Sequence, residues 1–153
     1  MPRTDTASHI IKASPQAIYD AFVDPAALAA WLPPRGMTGA FQLFEPRPGG
    51  RYRMTLTYET PDSATPGKSA ADADVVEGKF IELVPGKRIV QQADFVSDDP
   101  AFAGTMTMTW SLAPVPGGTE VTIIADNVPD GIGKADHDTG MQSSLENLAR
   151  FVE

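Results

Sequence analysis

The apolar residues of this chain change their period along its length, and that change constrains the fold more tightly than any single motif. From Tyr52 to Tyr58 apolar and polar side chains alternate over seven residues. Met106, Met108, Trp110 and Leu112 alternate in the same way with Thr105, Thr107, Thr109 and Ser111. A period of two places each apolar set on one face of a sheet. After Asp136 the period becomes helical. Met141, Leu145, Leu148 and Val152, with Phe151 beside them, follow spacings of four, three and four and trace one helix face. From His137 to Glu153 that helix would run roughly 25 Å. A sheet with one apolar face and a helix with one apolar stripe each need a cover. The C-terminal helix is the only predicted element long enough to cover the sheet.

The remaining elements follow from local signals. His9-Ile10-Ile11-Lys12 is a short β-branched run and reads as a first strand. Ser14-Pro15 supplies a helix cap and first residue, followed by Ile18, Tyr19, Phe22 and Val23 at helical spacing. Asp24-Pro25 restarts the chain as a second short helix with Leu28, Trp31 and Leu32 on one face, and Pro33-Pro34 ends it. Phe41 and Leu43 begin the period-two region, sharing one strand face. Residues 61–74 are rich in Ser, Ala, Asp, Pro and Gly and read as a long hairpin loop, a candidate lid. Val75 to Val84 and Arg88 to Phe95 read as strands joined by Pro85-Gly86-Lys87. Ser97 to Gly104 is a second polar loop, and Pro116-Gly117-Gly118 turns the chain into Glu120 to Ala125. Successive hairpins of this kind predict an antiparallel meander. The expected order is strand, two short helices, about six strands and a long helix, in one domain spanning residues 1–153.

Several function classes are disfavoured by composition. The 153 residues carry 20 acidic and 12 basic side chains, a formal net charge of −8. That sign repels phosphate backbones and anionic lipid headgroups, so nucleic acid is not the expected partner. The chain has no cysteine, which removes disulfides, thiolate metal sites and cysteine nucleophiles. Met1 to Ser8 is polar and no apolar stretch reaches the ~20 residues needed to span a bilayer. A cytoplasmic protein without membrane insertion is the expectation.

Taken together, certain motifs resemble a known family. They are Ser14-Pro15-Gln16-Ala17-Ile18-Tyr19-Asp20-Ala21-Phe22 with Asp24-Pro25, then Leu28 and Trp31. Pro48-Gly49-Gly50-Arg51-Tyr52 and Glu77-Gly78-Lys79-Phe80 follow, leading to Pro85-Gly86-Lys87-Arg88-Ile89. The last are His137, Gly140-Met141 and Ser144-Leu145. In order and spacing they resemble the START-like (SRPBCC) superfamily, within it the group named after the activator of heat-shock protein 90 ATPase. The family's usual final-helix pattern has Trp after the Gly, where this chain has Met141. The resemblance implies an α+β helix-grip fold, an antiparallel sheet of six to seven strands around a long C-terminal helix, with an internal cavity. It implies no single chemistry, since members bind lipids, cyclise polyketides or have no assigned activity.

The candidate ligand wall is the Met- and aromatic-rich set. Tyr52, Met54, Leu56 and Tyr58 share one strand face, and Met106, Met108 and Trp110 another. Phe41, Phe80 and Trp31 extend the set, with Trp31 either sealing the cavity or stapling the helices. Met141, Leu145 and Leu148 would form the helical wall. Any one of these residues also fits a filled core; the set suits a cavity, with Met as adaptable lining and Tyr or Trp as polar points. His137, beside Asp136 and Asp138, is either a pocket base, a metal ligand or a solvated helix-start residue. Two histidines without H-E-x-x-H spacing predict no metal and no cofactor. Ser143-Ser144 has no evident base, and Pro48-Gly49-Gly50 precedes a strand, so it reads as a turn needing positive φ rather than a phosphate loop. Arg51, Arg53, Glu45, Glu77 and Glu82 are expected on the outer face or rim, where one buried carboxylate would be a candidate acid or base with a raised pKa.

The leading expectation is binding of a small apolar or amphipathic molecule between helix and sheet. A cyclase- or hydrolase-like enzyme is the alternative, with His137, Tyr52, Tyr58 or a Glu as the titrating group. A chaperone-associated interaction protein, suggested by the family name alone, comes third and would need an exposed apolar patch.

Overall fold

The computed structural model describes residues 3–33, 37–58, 73–95, 100–102 and 104–153. Seven antiparallel strands form one sheet: β1 (Asp5–Ile11), β2 (Met37–Phe44), β3 (Arg51–Tyr58), β4 (Ala73–Val84), β5 (Arg88–Phe95), β6 (Met106–Val115) and β7 (Gly118–Asp126). Their order across the sheet is β1-β7-β6-β5-β4-β3-β2. Consecutive strands from β2 to β7 are neighbours, as a meander requires, and β1 closes onto β7 at the far edge. The crossing from β1 to β2 carries α1 (Pro15–Phe22) and α2 (Pro25–Trp31), and α3 (Lys134–Val152) follows β7. The fold is that of a helix-grip protein.

The two short helices start where the sequence places their caps. Ser14 Oγ accepts from the Ala17 N–H at 3.1 Å and Asp24 Oδ1 from the Ala26 N–H at 3.0 Å. Each cap satisfies a donor that the helix cannot, a contribution of about 1 kcal/mol. The end of α2 is tied to α3: Ser144 Oγ donates to Leu32 O at 2.7 Å and Asn147 Nδ2 to Pro33 O at 3.0 Å. Ser144 is therefore a fastening residue, buried between two helices.

Strand β1 begins at Asp5, four residues before the expected His9. Its inward positions are Asp5, Ala7, His9 and Ile11, so a carboxylate and an imidazole mask the alternation. Strand β4 likewise begins before Val75 and takes in Asp74. Most of the 61–74 segment read as a loop or lid, parts of the 97–104 loop, and Pro34 lie outside the described residues.

Two bulges correct the simple alternation. The β2–β3 register shifts between Phe41 and Leu43, so one extra residue reverses the facing of all that follows. Phe41 and Phe44 point inward with ring centroids 4.9 Å apart. Leu43, expected on the face of Phe41, is on the outer face and 43% exposed. In β4 the register shifts between Phe80 and Glu82, which turns Ile81 out and keeps both Phe80 and Leu83 on the inner side. The turn before β3 docks at this second bulge. Gly49 N–H donates to Phe80 O at 2.7 Å and Phe80 N–H to Gly50 O at 2.8 Å. Gly49 has φ of +81°, and a Cβ on Gly50 would lie 2.0 Å from Glu45 O. These glycines are required by a turn pressed against a strand, not by a bound phosphate.

Candidate functional site

The concave face of the sheet is filled at one end and hollow at the other. The hollow end is a cavity of about 600 Å³, within the usual range for small-molecule sites. Strand register explains the space. Tyr52, Gly78, Ala93 and Met106 stand side by side on β3, β4, β5 and β6. Two of the four have little or no side chain, so this row leaves the helix unsupported. Gly78 also lets the Tyr52 ring cross β4, since a Cβ there would sit 2.6 Å from the phenol oxygen. The phenol donates to Gln92 O on β5 at 2.7 Å. A glycine inside a strand marks such a close approach.

Ten of the fourteen anticipated ligand residues border the cavity. From the sheet come Phe41, Tyr52, Met54, Leu56, Phe80, Met106, Met108 and Trp110, and from α3 come His137 and Met141. Three others do not border it. Leu145 and Leu148 are fully buried in the packed core, so the helical wall is one to two turns earlier than the Met141–Leu145–Leu148 face, at residues 136–144. Trp31 packs instead against Phe22 at 4.8 Å and Trp110 at 5.7 Å, and its Nε1 donates to Ala21 O at 3.0 Å. It staples α2 to α1. The side chain of Tyr58 lies outside the described residues. Trp110 has its Nε1 buried without an acceptor among the described residues, beside the edge-on rings of Phe22 and Trp31.

Polar groups enter the wall at few points. His137 sits in the first turn of α3, half-buried, with Nδ1 2.8 Å from Asp5 Oδ2. Asp5 is fully buried at the start of edge strand β1 and also accepts from Arg3 Nε at 3.1 Å and Nη2 at 3.0 Å. Arg3 Nη2 in turn donates to Ile132 O at 2.6 Å, just before α3. Burial alone would push the Asp5 carboxyl up; the hydrogen bonds from His137 and Arg3 outweigh it and hold the group below its ordinary value. Burial, with the nearby Asp94 carboxylate, pushes the Tyr52 phenol well above its ordinary value. Asp74 and Gln91 complete the sheet side of the polar lining.

Glu45, Glu77 and Glu82 lie on the outer face or rim, and none of them is the buried carboxylate that would have been a candidate acid or base. Arg53 pairs with Glu77 and Arg88 with Glu82 at the surface. Glu45 accepts the Arg51 N–H at 2.9 Å, which holds its carboxyl below the ordinary value. Among the described residues the buried carboxylates are Asp5 and Asp74, both missed from sequence. The available signal was their frame: Asp5 alternates with Ala7 and Ile11, and Asp74 with Val76 and Phe80. Among the described residues no three His, Asp or Glu side chains come together as a metal site requires. No described helix is long and apolar enough to cross a membrane.

Comparison with known proteins bears on the whole chain. The family described as Activator of Hsp90 ATPase homolog 1-like protein matches residues 12–153. A crystal structure of a protein from Chromobacterium violaceum is 35% identical, with a TM-score of 0.85, covering 98% of this chain and 96% of that one. A protein from Rhodobacter sphaeroides is 25% identical, with a TM-score of 0.75, covering 96% and 90%. One from Mycobacterium smegmatis, 16% identical with a TM-score of 0.76 over 98% and 90%, shares the fold. No curated protein matches the chain.

Proposed function

The chain belongs to the Activator of Hsp90 ATPase homolog 1-like family, and we propose that it binds a small apolar or amphipathic molecule in the cavity between the sheet and α3. One observation carries the reading. Five of the six methionines, Met37, Met54, Met106, Met108 and Met141, border the same cavity. Thioether chains adapt to irregular ligands at little strain, and aromatic rings beside them supply apolar area. A ligand burying roughly 200 Å² of apolar surface there gains roughly 5 kcal/mol before entropic costs. The few polar groups would orient one end of the ligand rather than hold a charge.

The exposed large apolar residues favour this over a protein-docking role. Ile10, Leu43, Ile81 and Phe151 are spread over β1, β2, β4 and α3, with β1 and β2 at opposite edges of the sheet.

The methionines also supply the test. Methyl-labelled protein titrated with a long-chain alcohol, naphthalene and a neutral steroid should show shifts at the five lining methyls with at least one probe. If none of the five moves with any probe up to its solubility limit, the reading is wrong.

A further inference from the structure

The cavity contains one side chain whose hydrogen bonding leaves a ring nitrogen to spare. The carboxyl of Asp5 is an ionised acceptor held by Arg3, so His137 Nδ1 is the donor in the 2.8 Å contact. In the neutral ring this fixes the tautomer and leaves Nε2 as a bare acceptor. No described protein group bonds to Nε2, and the ring is part of the cavity wall. A buried carboxylate behind the imidazole of a cavity-lining residue is the arrangement of an oriented base.

The other titratable groups nearby narrow the ligand. Arg3 and Lys134, the latter with Nζ 3.9 Å from Asp5 Oδ1, lie on the carboxylate side of the pair. Asp74 and Asp136 also border the cavity, and the chain carries a net −8. A ligand arriving as an anion would meet like charge, whereas one that gives its proton to His137 inside the cavity leaves the net charge there unchanged. The phenol of Tyr52 is committed to Gln92 O; the titratable acceptors on the wall are then His137, Asp74 and Asp136, of which His137 is the one backed by a second, buried carboxylate, that of Asp5. Rings of Phe41, Phe80, Phe95 and Trp110 in the wall favour an aromatic body.

Building on the cavity reading above, we propose that Asp5 and His137 form a proton-accepting dyad, and that the ligand is an uncharged aromatic molecule with a weakly acidic hydroxyl. The ligand O–H bond breaks and an N–H bond forms at His137 Nε2. The electron pair stays on the ligand oxygen. Asp5 keeps its hydrogen bond to Nδ1–H and offsets the positive ring, and the bound phenolate pairs with that ring.

Two probes separate this from a purely structural bond between β1 and α3. Para-nitrophenol has an acidic hydroxyl and a coloured phenolate; para-nitroanisole is its methyl ether. The full chain is titrated with each at a pH below the free phenol's pKa. The phenol should bind at least about tenfold more tightly than the ether, as a charge-assisted hydrogen bond allows, and should turn to its phenolate absorption. The chain has only two histidines, so nitrogen NMR can follow both. Nε2 of His137 should move to its protonated position while His9 stays put. His137→Asn, whose amide can still donate to Asp5, should abolish the colour and remove the phenol's advantage over the ether. Equal affinities, no phenolate and an unmoved His137 resonance would overturn the dyad and leave the cavity reading standing. Binding of neither probe, together with silent methionine methyls, would overturn both. The resonance of the unmodified chain decides even if the variant fails to fold.

Discussion

Strand β6 runs through both ends of the concave face and shows how differently they are built. At one end Trp110, which also borders the cavity, and Leu112 beyond it are almost wholly buried. There Trp110 meets Phe22 and Trp31 edge-on, with ring centroids 4.8 to 5.7 Å apart. Ile11, Ile89, Val121, Leu145 and Leu148 are fully buried in the same core. At the other end, Met106 stands beside Ala93 and Met108 beside Gln91, and all four border a cavity of about 600 Å³. The alternation is the same; the side chains differ. Branched and aromatic residues interlock into a solid, whereas small residues and flexible thioethers do not fill the space below the helix. The helix is fastened accordingly. Its Leu145–Leu148 part is held by apolar contact and by the Ser144 and Asn147 bonds to the end of α2, and its start is held by the Asp5–His137 bond and the Arg3 bridge to Ile132.

The largest test of that contrast is a pair of truncations on β6. Trp110→Ala should cost about 3–5 kcal/mol, because it removes a buried indole from a rigid cluster. Met108→Ala should cost about 1 kcal/mol, because a half-buried thioether already bordering a void leaves little new empty space. Urea denaturation of both variants measures the difference. Equal costs would mean that the two ends are equally packed.

The polar fastening predicts an acid sensitivity confined to the hollow end. The folded-state pKa of Asp5 lies below its ordinary 3.8. The stabilisation is therefore fully present above that ordinary value and is lost as pH falls through the lower folded value. Asp5→Asn should cost about 1.5–3 kcal/mol at neutral pH, the worth of hydrogen bonds to a charged group. It should also flatten the fall in stability on acidification below 3.8. Hydrogen exchange should locate the loosening in β1 and the first turns of α3, with the Leu145–Leu148 region still protected. Loosening spread evenly along α3 would show that the helix is fastened as a single unit.

The fold was legible because its signals are periodic and local. Alternation in β3 and β6, the caps at Ser14 and Asp24, and the spacing of Met141, Leu145 and Leu148 each name an element without reference to the rest. The bulges were not legible. Leu43 reads as an inward residue until the β2–β3 register is known, and only the β4–β5 register shows where β4 is irregular. The sheet wall of the site was visible as a Met-rich face. Its helical wall was placed too far along α3, because an apolar stripe marks what is buried and not what is hollow. Asp5 and Asp74 escaped notice for the opposite reason. A charged residue breaks the pattern by which an inward position is recognised, and its partner His137 is 132 residues away from Asp5 in the chain.

The smallest stability effect is expected where the contrast can be erased by filling. Ala93 is buried on β5 between Gly78 and Met106, and its methyl borders the cavity. In Ala93→Leu the added atoms project into existing space, so no neighbour must move and no void is created. The change in stability should stay within about 1 kcal/mol of zero, and thermal and urea unfolding would detect more. Ligand affinity should respond far more strongly, because the same atoms occupy the volume that a ligand needs. The methionine methyls that shift with an apolar probe in the unchanged protein should stay still in this variant. A variant that stays folded yet binds as before would mean that the ligand does not use the row from Tyr52 to Met106, and the hollow would then be a packing defect and not a site.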